Sequence, residues 1–560
     1  MSKKLIALLM ATLMLLSLAA ACGNQPAETP TPDPAPTTPA DPAPAPTTPA
    51  DPTPTEPAKD EKYGGDLVVA TNQVSTTIDP HNCQAMLANY QWMQNMFEAP
   101  LARGDDGNVY PLICDYTQSD DGLTITLTVR EYYFQNGEKV TIEDVLASME
   151  RAASIYASFN DKHWAKVAEK TIDGDTLTLK LSALDVTFIW DIADSQGPCY
   201  ILPKSLCDKY ADGTLITDES ELVGTGPYVL DSYQPDDKIK LVRNENYVPT
   251  DNGDVGGPAA ARMAYCDTIT YAVNTDETSR TAAMIAGDYS AATIMASMGA
   301  YAEQIGLKKD MLHNQWTHAI FFNLSEENSD SIVHDVNFRK AVRACLDMDA
   351  IALSIFQGEP RYELDPNPIV KSNTAYSNDI LVTNEWNIKN KELAKQYLAA
   401  SGYDGEEITY LCGASSSAFY RAAMAIVPAL EEIGINVKVW TVDSGSHGAL
   451  RNDPTSGHDI GAWETQKATY NPSTQSSLVT GTAAGWWTND KKTELLDIIE
   501  STPTGSAESV KAYEEFCQLL ADEVPWIGLC NALTAYYTQP DVVLNYQGIT
   551  AYHWNTYFQK

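Results

Sequence analysis

Basic residues are scarce in this chain of 560 residues: Lys and Arg total 37 against 75 Asp and Glu, a formal net charge of −38. So acidic a surface repels phosphate backbones, which excludes nucleic acid as a partner. Histidine occurs only 8 times and never as HExxH or HxH. His313 and His318 are spaced so that they do not share a helical face. No cysteine pair has CxxC spacing, and no Cys/His zinc cluster can be drawn. Also missing are a GxSxG elbow, a GxxxxGK(S/T) phosphate loop and a GxGxxG turn between strand and helix. Asp and Glu pairs are plentiful, but a solvated acidic surface presents them anyway. The expectation is a binder rather than an enzyme, with no catalytic residues, no metal and no cofactor.

Long apolar runs are equally rare, and the one present stands at the start. Residues 5–21 are unbroken apolar and small residues after Lys3 and Lys4. The run barely reaches the ~20 residues a membrane span needs, so residues 1–21 read as a signal peptide. Ala19-Ala20-Ala21-Cys22-Gly23 resembles a bacterial lipobox, although Leu18 lies one place further out than usual. The reading is an acylated Cys22 that anchors the chain to the lipid bilayer, with ordinary cleavage after Ala21 as the alternative. Residues 22–62 follow as a tether of Pro, Ala, Thr and acids. With no larger apolar residue between 26 and 58 it cannot collapse. At ~3.1 Å per residue its polyproline conformation reaches up to about 100 Å. An O-glycosylated stalk is the other reading. Both place the protein outside the cytoplasm, as a membrane lipoprotein facing the wall or periplasm.

Of the 10 cysteines, those beyond Cys22 are scattered and odd in number, several in apolar settings such as Cys345 and Cys517. They read mostly as buried free thiols, with one or two disulfides left open. From Tyr63 onward the texture is mixed α/β. Residues 66–71 read as a buried strand, and 123–130 and 176–181 as alternating strands. Met86, Leu87, Tyr90, Met93 and Phe97 recur at helical spacing over 84–97. Thr141-Ile-Glu-Asp144 is a capping box that opens a helix. Helices are also predicted over 336–346, 391–400, 417–433 and 507–520, with Gly434 ending the third of these before a strand at 436–440.

Several segments, in order, resemble the extracytoplasmic solute-binding proteins of the peptide and nickel class, family 5 of the ABC-transporter binding proteins. They are GGDLVVATNQVSTTIDPHN (64–82), DDGLTITLTVREYYFQNGEKVTIEDVLASMERA (120–152), GTGPYVLDSYQPDDKIKLVRNENY (224–247) and DVNFRKAVRACLDMDAI (335–351). LEEIGINVKVW and YEEFCQLLADEVPWIGL complete the set. In 335–351 Met348 replaces the family's second arginine. The resemblance implies an α/β, two-lobed periplasmic-binding-protein-like fold (class II, cluster C type) with a hinge and an extra inserted subdomain. It places the first lobe at 63–95, 196–275 and 531–560, the inserted subdomain at 96–195 and the second lobe at 276–530.

It also implies where ligand is touched. Peptide-binding members carry an aspartate four residues before a proline of the second lobe, paired with the ligand's ammonium, because an enclosed ammonium demands an anion. Counting back from Pro472 puts Ala468 in that place, after His458-Asp-Ile-Gly-Ala-Trp463-Glu464-Thr465-Gln466. Either Glu464 takes the role or the ligand is not a free-amine peptide. Tyr470 and Asn471 complete the segment as candidates. His81, Asn82 and Cys83 close a loop that borders the cleft in relatives, with a hydrogen-bonded loop histidine as the alternative. Trp486 and Trp487 are either stacking walls or a packing pair. Asn531 lies on the last crossing towards the hinge, with Trp526 and Leu529. Gly224, Gly226 and Pro227 read as a tight turn.

The function implied is a monomeric solute-binding subunit of an ABC importer. It would capture a small solute, most often a peptide, and deliver it to a permease and ATPase complex. A non-peptide solute (oligosaccharide, opine-like compound or metal chelate) is the alternative within the family. A surface ligand sensor or adhesin is the alternative outside it.

Overall fold

The structure is a computed structural model that describes residues 61–560 apart from 84–86, 194–196, 254, 415–416, 480–484 and 545–551. The signal peptide, Cys22 and nearly all of the tether lie outside the described residues. One compact unit spans Lys59–Lys560.

The chain enters on β1 (Asp66–Thr71), whose Leu67 and Val69 are fully buried, and turns into α1 (Leu87–Met93). A hairpin of β2 (Leu101–Arg103) and β3 (Val109–Pro111) leads to β4 (Cys114–Gln118) and β5 (Thr124–Val129). Next come α2 (Ile142–Ile155), β6 (Val167–Asp173) and β7 (Thr176–Leu181). Strands β4–β7 form a separate antiparallel sheet in the order β4-β5-β7-β6. Alternation puts Ile125, Leu127, Leu177 and Leu179 on one face, where they pack on Val145, Met149 and Ala152 of α2. The capping box closes as the sequence predicts. Thr141 Oγ1 accepts from the Asp144 N–H at 3.3 Å, and the Asp144 carboxylate accepts from the Thr141 N–H at 2.8 Å.

β8 (Tyr228–Gln234), β9 (Lys238–Arg243) and β10 (Thr268–Val273) return to β1, with β10 parallel to it. The segment before β8 corrects the tight-turn reading of Gly224 and Gly226. Neither has a left-handed φ. The residues lie against 95–96, with the Gly226 N–H on the Met96 carbonyl at 2.9 Å. A Cβ on Gly224 would run into the Met96 carbonyl, and one on Gly226 would sit 2.9 Å from the carbonyl of Asn95. Close backbone approach, not turning, requires glycine here.

β11 (Ala291–Ala292) lies beside β1, and β12 (Lys308–Phe322) follows as a strand of 15 residues. Residues 276–307, which the sequence reading gives to the second lobe, pack on the β1 half of the sheet: Met284, Ala292, Ile294 and Leu307 cluster with Ala70 and Tyr537. Beyond β12 come α3 (Val336–Cys345), β13 (Tyr362–Glu363), α4 (Lys391–Ser401), β14 (Glu407–Cys412) and α5 (Ala418–Ile433). α5 starts at a Ser417 cap and ends at Gly434 with φ 104°. β15 (Asn436–Thr441), α6 (Ser444–Leu450) and β16 (Ile460–Gln466) lead on to α7 (Ala507–Glu523) and β17 (Trp526–Thr538).

One sheet runs through both lobes in the order β15-β14-β16-β12-β17-β11-β1-β10-β9-β8, with β13 on β17. β12 and β17 are the crossing strands. Residues 308–313 pair with 533–538 in the first lobe, and 317–321 pair with 526–531 in the second. Between them the ladder slips, with register shifts at His313/Thr317 and His318/Ala319. A twisted, locally unpaired pair of strands is where the two lobes can bend against each other. Each lobe keeps its own core: one around Trp92, Phe97, Tyr228 and Tyr271, the other around Phe338, Ile351, Tyr410 and Ile426.

The inserted sheet is tied to the first lobe by a buried carboxylate. Glu98 accepts from Tyr132 and Tyr247 hydroxyls, each at 2.8 Å, and pairs with Arg262 at 3.0 Å. Removing one partner of such a pair strands the other charge, at about 3–5 kcal/mol. Glu98→Gln should therefore lower the unfolding free energy by that order in urea titrations at pH 7. A loss under about 1 kcal/mol would show that the pair is not what joins these parts.

Candidate ligand-binding site

Parallel strands open their crevice at their carboxyl ends. In the second lobe these are the ends of β14, β15 and β16. β14 meets β16 only at Ile460 and Gly461, so among the described residues the far half of β16 has no strand on that side. Glu464 stands on this stretch, opposite His318 of β12. His318 Nε2 lies 3.0 Å from the Glu464 carboxylate, whose side chain is 38% exposed. Burial would raise the Glu464 pKa, but the His318 hydrogen bond and the charges of His318 and Arg451 hold it below the usual carboxylate range. Rings close the recess: His318 has its edge to Phe356 at 5.7 Å, and Phe419 stacks on His447 at 5.1 Å. His447 belongs to α6, and Arg451 follows one turn later with its N–H on the His447 carbonyl at 3.1 Å.

The other residues of this segment are held by the protein itself. Trp463 is in the core, stacked on Phe321 at 4.7 Å and 2°. Thr465 is buried, with its hydroxyl 2.6 Å from Ser477 and accepting from Gln475. Gln466 is exposed, and its carbonyl accepts from Gln475 at 3.1 Å. Ala468, in the place of the family's aspartate, is buried and bonded through its backbone to Pro368 and Val370. Asn471 caps the following turn and donates to Thr504. Trp487 is a packing residue: it donates to Glu523 at 2.8 Å and lies under Lys492. Trp486 is half-buried at φ 47°, with its ring 6.1 Å from His458.

The first-lobe expectation gives way. His81 and Cys83 have no exposed surface, which removes them from a cleft wall. His81 Nε2 meets the Tyr200 carbonyl at 2.8 Å and Nδ1 meets Arg151 at 3.0 Å. Arg151 in turn pairs with buried Asp79 at 2.6 Å. The alternative reading of a hydrogen-bonded loop histidine is the one the geometry bears out. Asn82 is half-buried, with its N–H on the Asp79 carbonyl. Among the described residues all nine cysteines are buried.

Asn531 sits in the crossing strand, paired with Thr317 and Glu363, and its buried Oδ1 has no partner. Trp316, which the sequence reading missed, stands 46% exposed beside the register shift. Only the observed bulge marks it, because the surrounding residues form an ordinary strand pattern. Across the lobes, Tyr470 stacks on Trp190 at 4.3 Å and 10°. The Arg103 guanidinium covers Trp190 at 4.1 Å. Thr504 Oγ1 also donates to the Val186 carbonyl at 3.4 Å. The inserted region thus touches the second lobe at a built contact.

Comparison with known proteins gives the family and the fold. The sequence profile of bacterial extracellular solute-binding proteins, family 5 Middle, matches residues 108–489. The glutathione-binding protein GsiB of Salmonella paratyphi A is 25% identical over 397 residues, which cover 69% of this chain and 71% of that protein. The periplasmic binding protein DppA of Helicobacter pylori, solved with the peptide STSA, superposes with a TM-score of 0.67 at 18% identity, covering 89% of this chain and 99% of that one. AgaA of A. tumefaciens R10, solved with agropinic acid, gives 0.63 at 22% identity, covering 89% and 99%.

The buried histidines make a pH prediction. Burial pushes His81 and His458 down to about 4 from the ordinary 6.5, and at His81 the Arg151 charge adds to it. The unfolded chain therefore takes up protons first, and stability falls as pH drops from 6.5 towards 4. Urea midpoints should decline across that window, and His458→Gln should flatten the decline. A midpoint independent of pH there contradicts the assignment.

Proposed function

The chain belongs to the bacterial extracellular solute-binding proteins of family 5, and from that premise we propose that it captures a short peptide between its lobes and passes it to an ABC permease. The observation that carries this reading is Glu464. It is an ionised carboxylate, part-exposed at the strand-end crevice and steadied by His318, suited to take the ligand's ammonium. Trp316 and Asn531 supply an exposed aromatic face and an unmet acceptor on the crossing strands. Binding to both lobes favours the closed form by the difference in its affinity for the two states. The names of GsiB and DppA, with glutathione and a peptide, support this ligand class.

A second reading has its own support. Ala468 replaces the usual aspartate, and AgaA is named with a non-peptide ligand, so an opine-like solute is the rival. We further propose that the protein is extracytoplasmic and anchored through acylated Cys22. It works as a monomer without catalysis of its own. Its small cysteine-led signal segment and acidic Pro-rich tether support the anchoring.

Calorimetry against di- to pentapeptides, their N-acetyl forms and opine-like acids decides the ligand. Free-amine peptides should bind, with affinity falling at least about 10-fold on N-acetylation and on Glu464→Gln. Binding by opine-like acids alone would replace the peptide reading. Closure has its own test. Trp190→Ala removes the stack with Tyr470 and should enlarge the unliganded radius of gyration in X-ray scattering, with ligand release accelerated. An unchanged radius and release rate would show that the contact plays no part in closing.

A further inference from the structure

The face of α6 turned towards Glu464 carries polar groups that no described residue uses. Arg451 makes no side-chain hydrogen bond or ion pair among the described residues, and its Nε is buried without a partner. It nevertheless lies in the field of Glu464, beyond ion-pair contact, since that carboxylate is taken by His318. One turn earlier on the same helix face, His447 is only 3% exposed, and its Nε2 also lacks a partner. Its ring stacks on Phe419 at 5.1 Å. A half-buried guanidinium and a buried imidazole nitrogen with unmet capacity are costly unless something else completes them.

We propose that Arg451 and His447 form a subsite for a carboxylate group of the ligand. The proposal deepens the peptide reading above and rests on it for the identity of the ligand, though not for the chemistry of the subsite. A guanidinium fork matches a planar carboxylate, and the Nε2–H tautomer of His447 adds a donor. Burial and the Arg451 charge keep His447 neutral, so the pair brings one positive charge. The nearby Glu464 penalises a dianion, which selects carboxylate over phosphate. Together, Glu464 and Arg451 make a crevice with one charge of each sign, suited to a short zwitterion.

The test is calorimetry on the full-length protein with tripeptides and their C-terminal amides, alongside N-acyl amino acids and their amides. In the wild type the acids should bind at least about 10-fold tighter than the amides. Arg451→Gln should erase that preference with the far-UV spectrum unchanged, Arg451→Lys should restore part of it, and His447→Phe should reduce it. If peptide acids and amides bind alike, the subsite is wrong and the peptide reading stands. If only N-acyl acids bind, and Arg451→Gln abolishes it, the subsite stands and the peptide reading falls. A preference that survives Arg451→Gln also overturns the subsite, and silence from every member of the panel overturns both.

Discussion

Two strands carry this molecule. β12 and β17 pair with each other from the first lobe into the second, and the same backbone ladder holds both halves of the large sheet. A sheet that is continuous cannot slide, but it can twist where its hydrogen bonds lapse. The register shifts near 313–319 supply that lapse. The groups nearest the lapse are His318, Trp316 and Asn531, each placed by the strand that must flex. Ligand recognition and lobe movement thus share one piece of backbone.

Much of this was legible in the sequence where a local signal was complete. β1 follows the apolar run at 66–71, and α2 follows the Thr141/Asp144 box. α5 runs from its Ser417 cap to Gly434 even though Pro428 lies inside it. The ordered segments that resemble family 5 pointed to the two-lobed fold. What stayed hidden depends on pairing between distant strands. The His318–Glu464 contact exists because β12 lies beside β16 in one register, and no local pattern states a register. Trp463, Trp487 and Trp316 look alike as letters. The first two are buried and the third is exposed, a difference decided by what the distant parts of the chain lay over each.

Histidine illustrates the same point. His81 is prominent in its motif, yet the fold uses it to bind Arg151 and Tyr200, far from any solvent. His163 is unremarked in sequence but lies between Asp185 and Asp191 at 2.9 and 2.7 Å, and these carboxylates outweigh burial and lift it to about 9. Asp191 also meets Arg103, the residue that covers Trp190. The charge network of the inserted region therefore ends at the aromatic contact with the second lobe.

The nine cysteines buried among the described residues have a consequence for reactivity. Burial pushes Cys114, Cys266, Cys345 and Cys530 up to about 12, so each holds its proton at any physiological pH. Protonated and enclosed, these side chains serve the fold as small apolar packing residues. A thiolate-directed reagent meets these four side chains only when the fold opens.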